Sequence, residues 1–156
     1  PGPRWCADPP DHCFPTGRLG WFAERVARRG LMCLLVSTST PRIVHPDGGP
    51  PLLGTNPFCL ALPGRNHPTV VDVSMGRVTH GDVLAGLAAP EELVPFGGDR
   101  AYKAFALAVG IEMLVSALGG DEPGALLLVA RPDHDPVPAF RAFAGGVRLP
   151  GDSPPG

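Results

Sequence analysis

The stretch from Leu53 to Ser74, LGTNPFCLALPGRNHPTVVDVS, constrains this chain more than any other. Two short apolar runs, Phe58–Leu62 and Thr69–Val73, flank a loop of Gly64, Arg65, Asn66, His67 and Pro68, the pattern of two neighbouring strands around a turn. Ahead of the first run stands Gly54-Thr55-Asn56-Pro57, where Gly permits unusual backbone angles and Pro fixes the entry to the strand. None of the four has a useful acid or base, so they shape backbone rather than react. The second run closes on Asp72-Val73-Ser74, a carboxylate and a hydroxyl where a buried strand would be surfacing.

The flanking sequence supplies the other elements. Leu19, Phe22, Ala23, Val26 and Ala27 recur at helical spacing among Glu24, Arg25, Arg28 and Arg29, and Gly30 stops the pattern, which predicts an amphipathic helix. Leu31–Val36 is an unbroken apolar run before Ser37-Thr38-Ser39-Thr40-Pro41, a buried strand ending in a hydroxyl-rich loop. Val78–Leu87 is a modest helical stretch broken at Ala88-Ala89-Pro90. From Ala104 to Leu118 the pattern is strongly helical, with Leu107, Ile111, Leu114 and Leu118 on one face and Gly119-Gly120 at the end. It is apolar nearly all round, which predicts burial. Ala125–Ala130 reads as a last strand and Phe140–Leu149 as a short tail.

Length and composition set the limits. At 156 residues the chain makes a single domain, 1–156, able to bury roughly two thirds of its unfolded surface. Its 21 Gly and 21 Pro are clustered, which assigns loose or loop-like structure to the ends, 1–11 and 131–156. A net charge of −2 and scattered arginines leave no basic footprint, so nucleic acid is not an expected partner. The apolar stretch Phe105–Leu118 falls short of the ~20 residues a bilayer needs and contains Glu112, so no membrane span is expected. With no signal peptide and no initiating Met, Pro1 is read as the start of a trimmed or fragmentary chain. Cys33 and Cys59 lie within apolar runs and read as small buried residues; Cys6, His12 and Cys13 lack a fourth ligand at sensible spacing, so no metal is expected. A reduced, cytoplasmic chain is the simpler account.

Taken together, the order of motifs resembles the malate/L-lactate dehydrogenase family of non-Rossmann type, whose relatives include ureidoglycolate dehydrogenase, sulfolactate dehydrogenase and cyclic imino-acid reductases. His12, Gly17-Arg18-Leu19-Gly20, Gly30-Leu31, Thr38-Ser39-Thr40-Pro41, Gly48-Gly49, Gly54-Thr55-Asn56-Pro57, Asp72-Val73-Ser74, Pro95-Phe96-Gly97-Gly98 and Val147-Arg148-Leu149-Pro150-Gly151-Asp152 match in sequence, nearly the whole chain. The departures are specific. Four residues rather than one separate His12 from Gly17, Arg100 and Ala101 stand where the family has Lys and Gly, and the interval between the D-x-S and P-x-G-G motifs is shorter than usual. The helical N-terminal region that carries substrate-binding residues in full-length relatives is read as absent, in keeping with a trimmed or fragmentary chain.

The resemblance implies an α/β fold with a mixed, mainly antiparallel sheet flanked by helices, a non-Rossmann NAD(P)-binding domain, and pairing as a homodimer. No G-x-G-x-x-G follows any strand, consistent with that reading. It further implies hydride transfer between NAD or NADP and a small 2-hydroxy or amino/imino acid, giving the 2-oxo or imine form. Such chemistry needs a group that takes and returns a proton, and histidine suits both directions. By resemblance His12 is that catalytic residue; its alternative is a solvent-facing His in a Pro-rich leader. Thr38 and Ser39 would touch the cofactor, or else form a Ser/Thr turn before Pro41. Asp72, Val73 and Ser74 match the cofactor-contacting strand end, with a carboxylate suited to ribose hydroxyls; otherwise Asp72 is a helix N-cap for the segment that follows. Gly97 and Gly98 would allow close backbone approach with Arg100 facing an anionic group, or simply form a helix entry with an exposed Arg. His45, His67, His80 and His134 carry no assigned role. The rival to an enzyme is a non-catalytic remnant or partner subunit that keeps the family's folded core.

Overall fold

Gly30, at a φ of +75°, stops the first helix and turns the chain into the first strand, as its place in the sequence predicts. The computed structural model describes residues 17–150 and 152; His12, Cys6 and Cys13 lie outside them. Helix α1 spans Leu19–Ala27, strand β1 Met32–Ser37, β2 Ile43–Val44, β3 Pro51–Leu53, β4 Phe58–Leu62, β5 Thr69–Val73 and β6 Ala125–Ala130. Helices α2, α3 and α4 occupy His80–Leu84, Tyr102–Gly119 and Val137–Ala144. The architecture is α/β, a mixed, mainly antiparallel sheet flanked by helices.

The described residues fall into two compact units. One takes in Arg18–Leu35, Cys59–Asp72 and the residues from Leu127 onward. The four-stranded sheet runs in the order β5-β4-β1-β6, so the two strands read around the Gly64–Pro68 loop are indeed neighbours. Leu19, Ala23 and Ala27 of α1 pack on Cys33 and Leu35 of β1 and Cys59 and Ala61 of β4, with Val26 and Val70 at the margin. Most of these side chains are small, which lets the helix lie close on the sheet. Phe22, which shares the helical spacing, is 43% exposed together with its edge-on neighbour Trp21. Helix α4 forms within 131–156, where composition predicts loose structure. Pro138 sits within its first turn, where a missing N–H costs nothing, and Gly145 ends it at a φ of +60°.

The other unit carries Val36–Phe58 and Val73–Leu126. Strands β2 and β3 pair antiparallel around a turn containing Gly48 and Gly49, both at positive φ. Thr79 and Asp82 form a reciprocal capping box that starts α2: the Asp82 N–H donates to Thr79 Oγ1 at 3.1 Å and the Thr79 N–H to Asp82 Oδ2 at 2.7 Å. Helix α3 is longer than its apolar stretch suggests, 18 residues, and by length and composition alone it could cross a membrane. The buried stripe on it is Ala104, Ala108, Ile111 and Val115, while Leu107, Leu114 and Leu118 are exposed. The expectation that the leucine face is buried is thus corrected. In a helix apolar on all sides periodicity cannot choose the face, and the two alanines permit the closer approach.

Candidate functional site

Three loops that are distant in sequence are bonded together in the second unit. The Thr55 carbonyl accepts the Met75 N–H at 2.9 Å and the Ser74 hydroxyl at 3.5 Å, which fastens the GTNP loop to the D-x-S strand end. The Met75 carbonyl in turn accepts the Phe96 N–H at 3.1 Å, Arg77 N–H donates to the Val94 carbonyl at 2.7 Å, and Gly76 bridges Pro95. Gly97 and Gly98 therefore follow directly on the segment clamped to Met75. The end of β1 joins the same assembly, because the Ser37 N–H reaches the Pro57 carbonyl at 3.4 Å.

Local geometry explains the glycines. Gly97 has a φ of +111°, and a Cβ there would press on the Arg100 carbonyl at 3.3 Å; Gly98 has a φ of +54°. Together they admit one tight 3-10 turn, Gly98–Arg100, closed by the Arg100 N–H on the Gly97 carbonyl at 2.9 Å. The turn presents an exposed Arg100 whose guanidinium has no ion-pair partner among the described residues. Gly54 is forced for a different reason: a Cβ would lie 2.5 Å from Ser39 Oγ, 2.7 Å from the Ser39 N and 2.7 Å from Asn56 Oδ1.

The remaining predicted residues divide. Thr38 is turned inward, its N–H donating to the Gly124 carbonyl at 2.8 Å and its hydroxyl accepting the Gly124 N–H at 2.9 Å, so its oxygen is engaged in structure. Ser39, half-buried, has no hydrogen-bond partner among the described residues. Ser74 accepts the Gly76 N–H at 3.1 Å while bonding Thr55. Val73 is exposed at the end of β5. In the first unit Asp72 does not cap the helix that follows it. Its Oδ2 accepts the N–H of Gly20, in the first turn of α1, at 2.7 Å, leaving Oδ1 without a hydrogen-bond partner among the described residues. Burial and the nearby Asp72 charge push the Cys59 thiol up to about 12, and burial raises Cys33 as well, so both are inert thiols.

Asn56 is the residue whose reach the sequence did not reveal. It is fully buried at a φ of +33°, and its Nδ2 donates to the Ala108 carbonyl at 3.0 Å and to Glu112 Oε2 at 2.7 Å. The signal for it was there: Glu112 is the one charge between Ala104 and Leu118, and a lone carboxylate in an apolar helix needs a partner.

A family model described as malate/L-lactate dehydrogenase matches residues 11–89, half of the chain. The chain belongs to the malate/L-lactate dehydrogenase family. L-sulfolactate dehydrogenase of Methanocaldococcus jannaschii is 26% identical to this family member over an alignment of 132 residues that covers 69% of the chain and 37% of that enzyme. (2R)-3-sulfolactate dehydrogenase (NADP(+)) of Chromohalobacter salexigens is 39% identical over 79 residues, 49% of the chain and 23% of that enzyme. Among solved structures, delta1-piperideine-2-carboxylate reductase of Pseudomonas syringae pvar. tomato superposes with a TM-score of 0.66 at 26% identity, over 86% of this chain and 56% of that one. The malate/L-lactate dehydrogenase-family chain thus spans between about a quarter and just over half the length of these relatives.

Proposed function

We propose that this chain serves an NAD(P)-dependent oxidoreductase that interconverts a small 2-hydroxy or amino/imino acid with its 2-oxo or imine form. The observation that carries the reading is the bonding of the Gly54-Thr55-Asn56-Pro57 loop, the Ser74 strand end and the segment leading into the Gly97-Gly98 turn into one assembly, with the unengaged Ser39 hydroxyl beside Gly54. Those groups fit the cofactor's chemistry. Ser39 offers a hydroxyl to an amide or a ribose, the glycine turn lets backbone approach phosphate, and Arg100 answers its negative charge. Arg in place of the family's Lys keeps the charge and adds a planar fork.

When bound, the nicotinamide would donate or accept the hydride. The residues of this chain bind and orient: Ser39 and Ser74 fix one end of the ligand, Gly97, Gly98 and Arg100 the other. His12 moves the proton, giving it to the substrate oxygen or nitrogen on reduction and taking it back on oxidation. The relatives' names support sulfolactate, and the family's description malate or lactate, as the substrate class, with NADP as one usable cofactor. In this reading the protein is a homodimer, as the resemblance implies, and cytoplasmic, as its reduced thiols favour.

The test is turnover. Oxidation of NADPH or NADH is followed with sulfopyruvate, oxaloacetate, pyruvate and Δ1-piperideine-2-carboxylate, with His12→Ala as control. Turnover abolished by His12→Ala supports the proposal. Saturable dinucleotide binding without turnover on any of the four assigns the chain to the rival reading, a non-catalytic partner subunit.

A further inference from the structure

We infer that Asn56 is the positioning residue for the Ser39 hydroxyl, an inference that rests on the dinucleotide reading of this site. Asn56 is fully buried and its Oδ1 has no hydrogen-bond partner among the described residues. The orientation of its amide is fixed by its surroundings. The Ala108 carbonyl and the Glu112 carboxylate are both acceptors, so the NH2 group must face them and Oδ1 must face the other way. On that other side stands Gly54, and beside it the Ser39 hydroxyl. Both oxygens line the space a Cβ at Gly54 would need, 2.5 Å from Ser39 Oγ and 2.7 Å from Asn56 Oδ1, so only glycine leaves the two facing one another there.

A buried acceptor without a donor is costly, and a hydroxyl without an acceptor points nowhere in particular. The two complement each other. In this structure the two make no hydrogen bond; with the Ser39 side chain turned so that its O–H meets Asn56 Oδ1, Ser39 Oγ would present its lone pairs outward as acceptors. It would then select a donor on the ligand, an amide N–H or a ribose O–H, over an anionic oxygen. The bridge to Glu112 and Ala108 holds Asn56 in place, and the left-handed backbone, which Asn tolerates better than most residues, aims its side chain. Asn56 touches no reacting atom in this account; it acts through Ser39.

The experiment is a double-mutant cycle on dinucleotide affinity, read as quenching or enhancement of NADH and NADPH fluorescence in the full chain. Ser39→Ala and Asn56→Ala are each expected to raise Kd about tenfold, and the double variant to bind no more weakly than either single. Additive losses, or an Asn56→Ala variant that melts cooperatively and binds like the parent, would overturn the inference while leaving the dinucleotide reading intact. Should Asn56→Ala fail to fold, Ser39→Ala alone decides: it leaves the bridge of Asn56 to Ala108 and Glu112 untouched, tenfold weaker binding is expected, and a folded variant with parental affinity contradicts the inference. A parent chain that binds neither dinucleotide removes the cofactor reading and this inference together.

Discussion

The Asp72 carboxylate accepts the backbone N–H of Gly20 at 2.7 Å, tying the end of β5 to the first turn of α1 across 52 residues. One of the helix's orphan donors is thereby satisfied by a charge of the favoured sign. Asp72→Ala is expected to cost about 1–3 kcal/mol of stability, the range for losing a charge-assisted bond at a helix start, measured by urea unfolding. Gly20→Ala tests the same contact from the other side, because the new Cβ would sit 2.9 Å from Oδ2 and 3.3 Å from Val70. A variant of either kind as stable as the parent would show that the contact contributes nothing.

Asp152 fastens the far end of the first unit. Its carboxylate accepts two bonds from Arg141, at 3.0 and 2.5 Å, one from the Leu149 N–H at 2.8 Å, and lies 3.3 Å from His67 Nε2. Arg141 foremost, then the Leu149 amide, holds the carboxyl well below the usual carboxylate range. The folded form of the group is thus the stronger acid, so its stabilising effect is present above pH ~4 and fades as the pH falls below the ordinary carboxylate pKa toward the lower folded one. The protection of α4 amides against hydrogen exchange, relative to their intrinsic rates, should fall on acidification over that window, and Asp152→Asn should abolish the dependence while lowering protection at neutral pH.

The buried thiols predict a second pH effect of opposite sign. Because Cys59 is pushed up to about 12, the unfolded chain loses its thiol proton first as the pH rises above the ordinary cysteine value. Stability should therefore fall between pH ~9 and that value, and less steeply in Cys59→Ala. In the native protein at pH 8, alkylation mapped by mass spectrometry should spare Cys33 and Cys59 and reach both only in denaturant.

Gly97 is the position where substitution should separate fold from site. Gly97→Ala must adopt a φ of +111° and press on the Arg100 carbonyl, so the turn will reopen or strain by about 1–3 kcal/mol. Arg100→Ala leaves that turn intact and removes only an exposed charge. Weaker dinucleotide binding in both, with lowered thermal stability in Gly97→Ala alone, is the expected outcome.

Local pattern carried much of the fold. Phe58–Leu62 and Thr69–Val73 became β4 and β5 with the bounds that their apolar runs suggest, and Leu19–Ala27 stopped short of Gly30 as its spacing requires. Where reading failed, the deciding physics was tertiary. Asp72 caps a helix far earlier in the chain, which no local motif encodes, and the alanine stripe of α3 was hidden among equally apolar leucines. Val137–Ala144 was obscured by prolines that favour a helix start as readily as a loop. At the site, the motifs marked Gly54 and Asn56 as backbone-shaping and Gly97 and Gly98 as allowing close backbone approach. That Thr38 bonds Gly124 while its neighbour Ser39 stays unengaged depends on which way two adjacent side chains face, which composition does not specify.

The most direct test of the central claim, that these joined loops cradle a dinucleotide, is the affinity of the chain for NADPH and NADH by isothermal calorimetry, with Arg100→Ala alongside. The account predicts one saturable site for at least one dinucleotide, weakened at least severalfold in Arg100→Ala and less sensitive to salt there, since a phosphate contact has been lost. No heat of binding with either dinucleotide, in a chain that melts cooperatively, would contradict it.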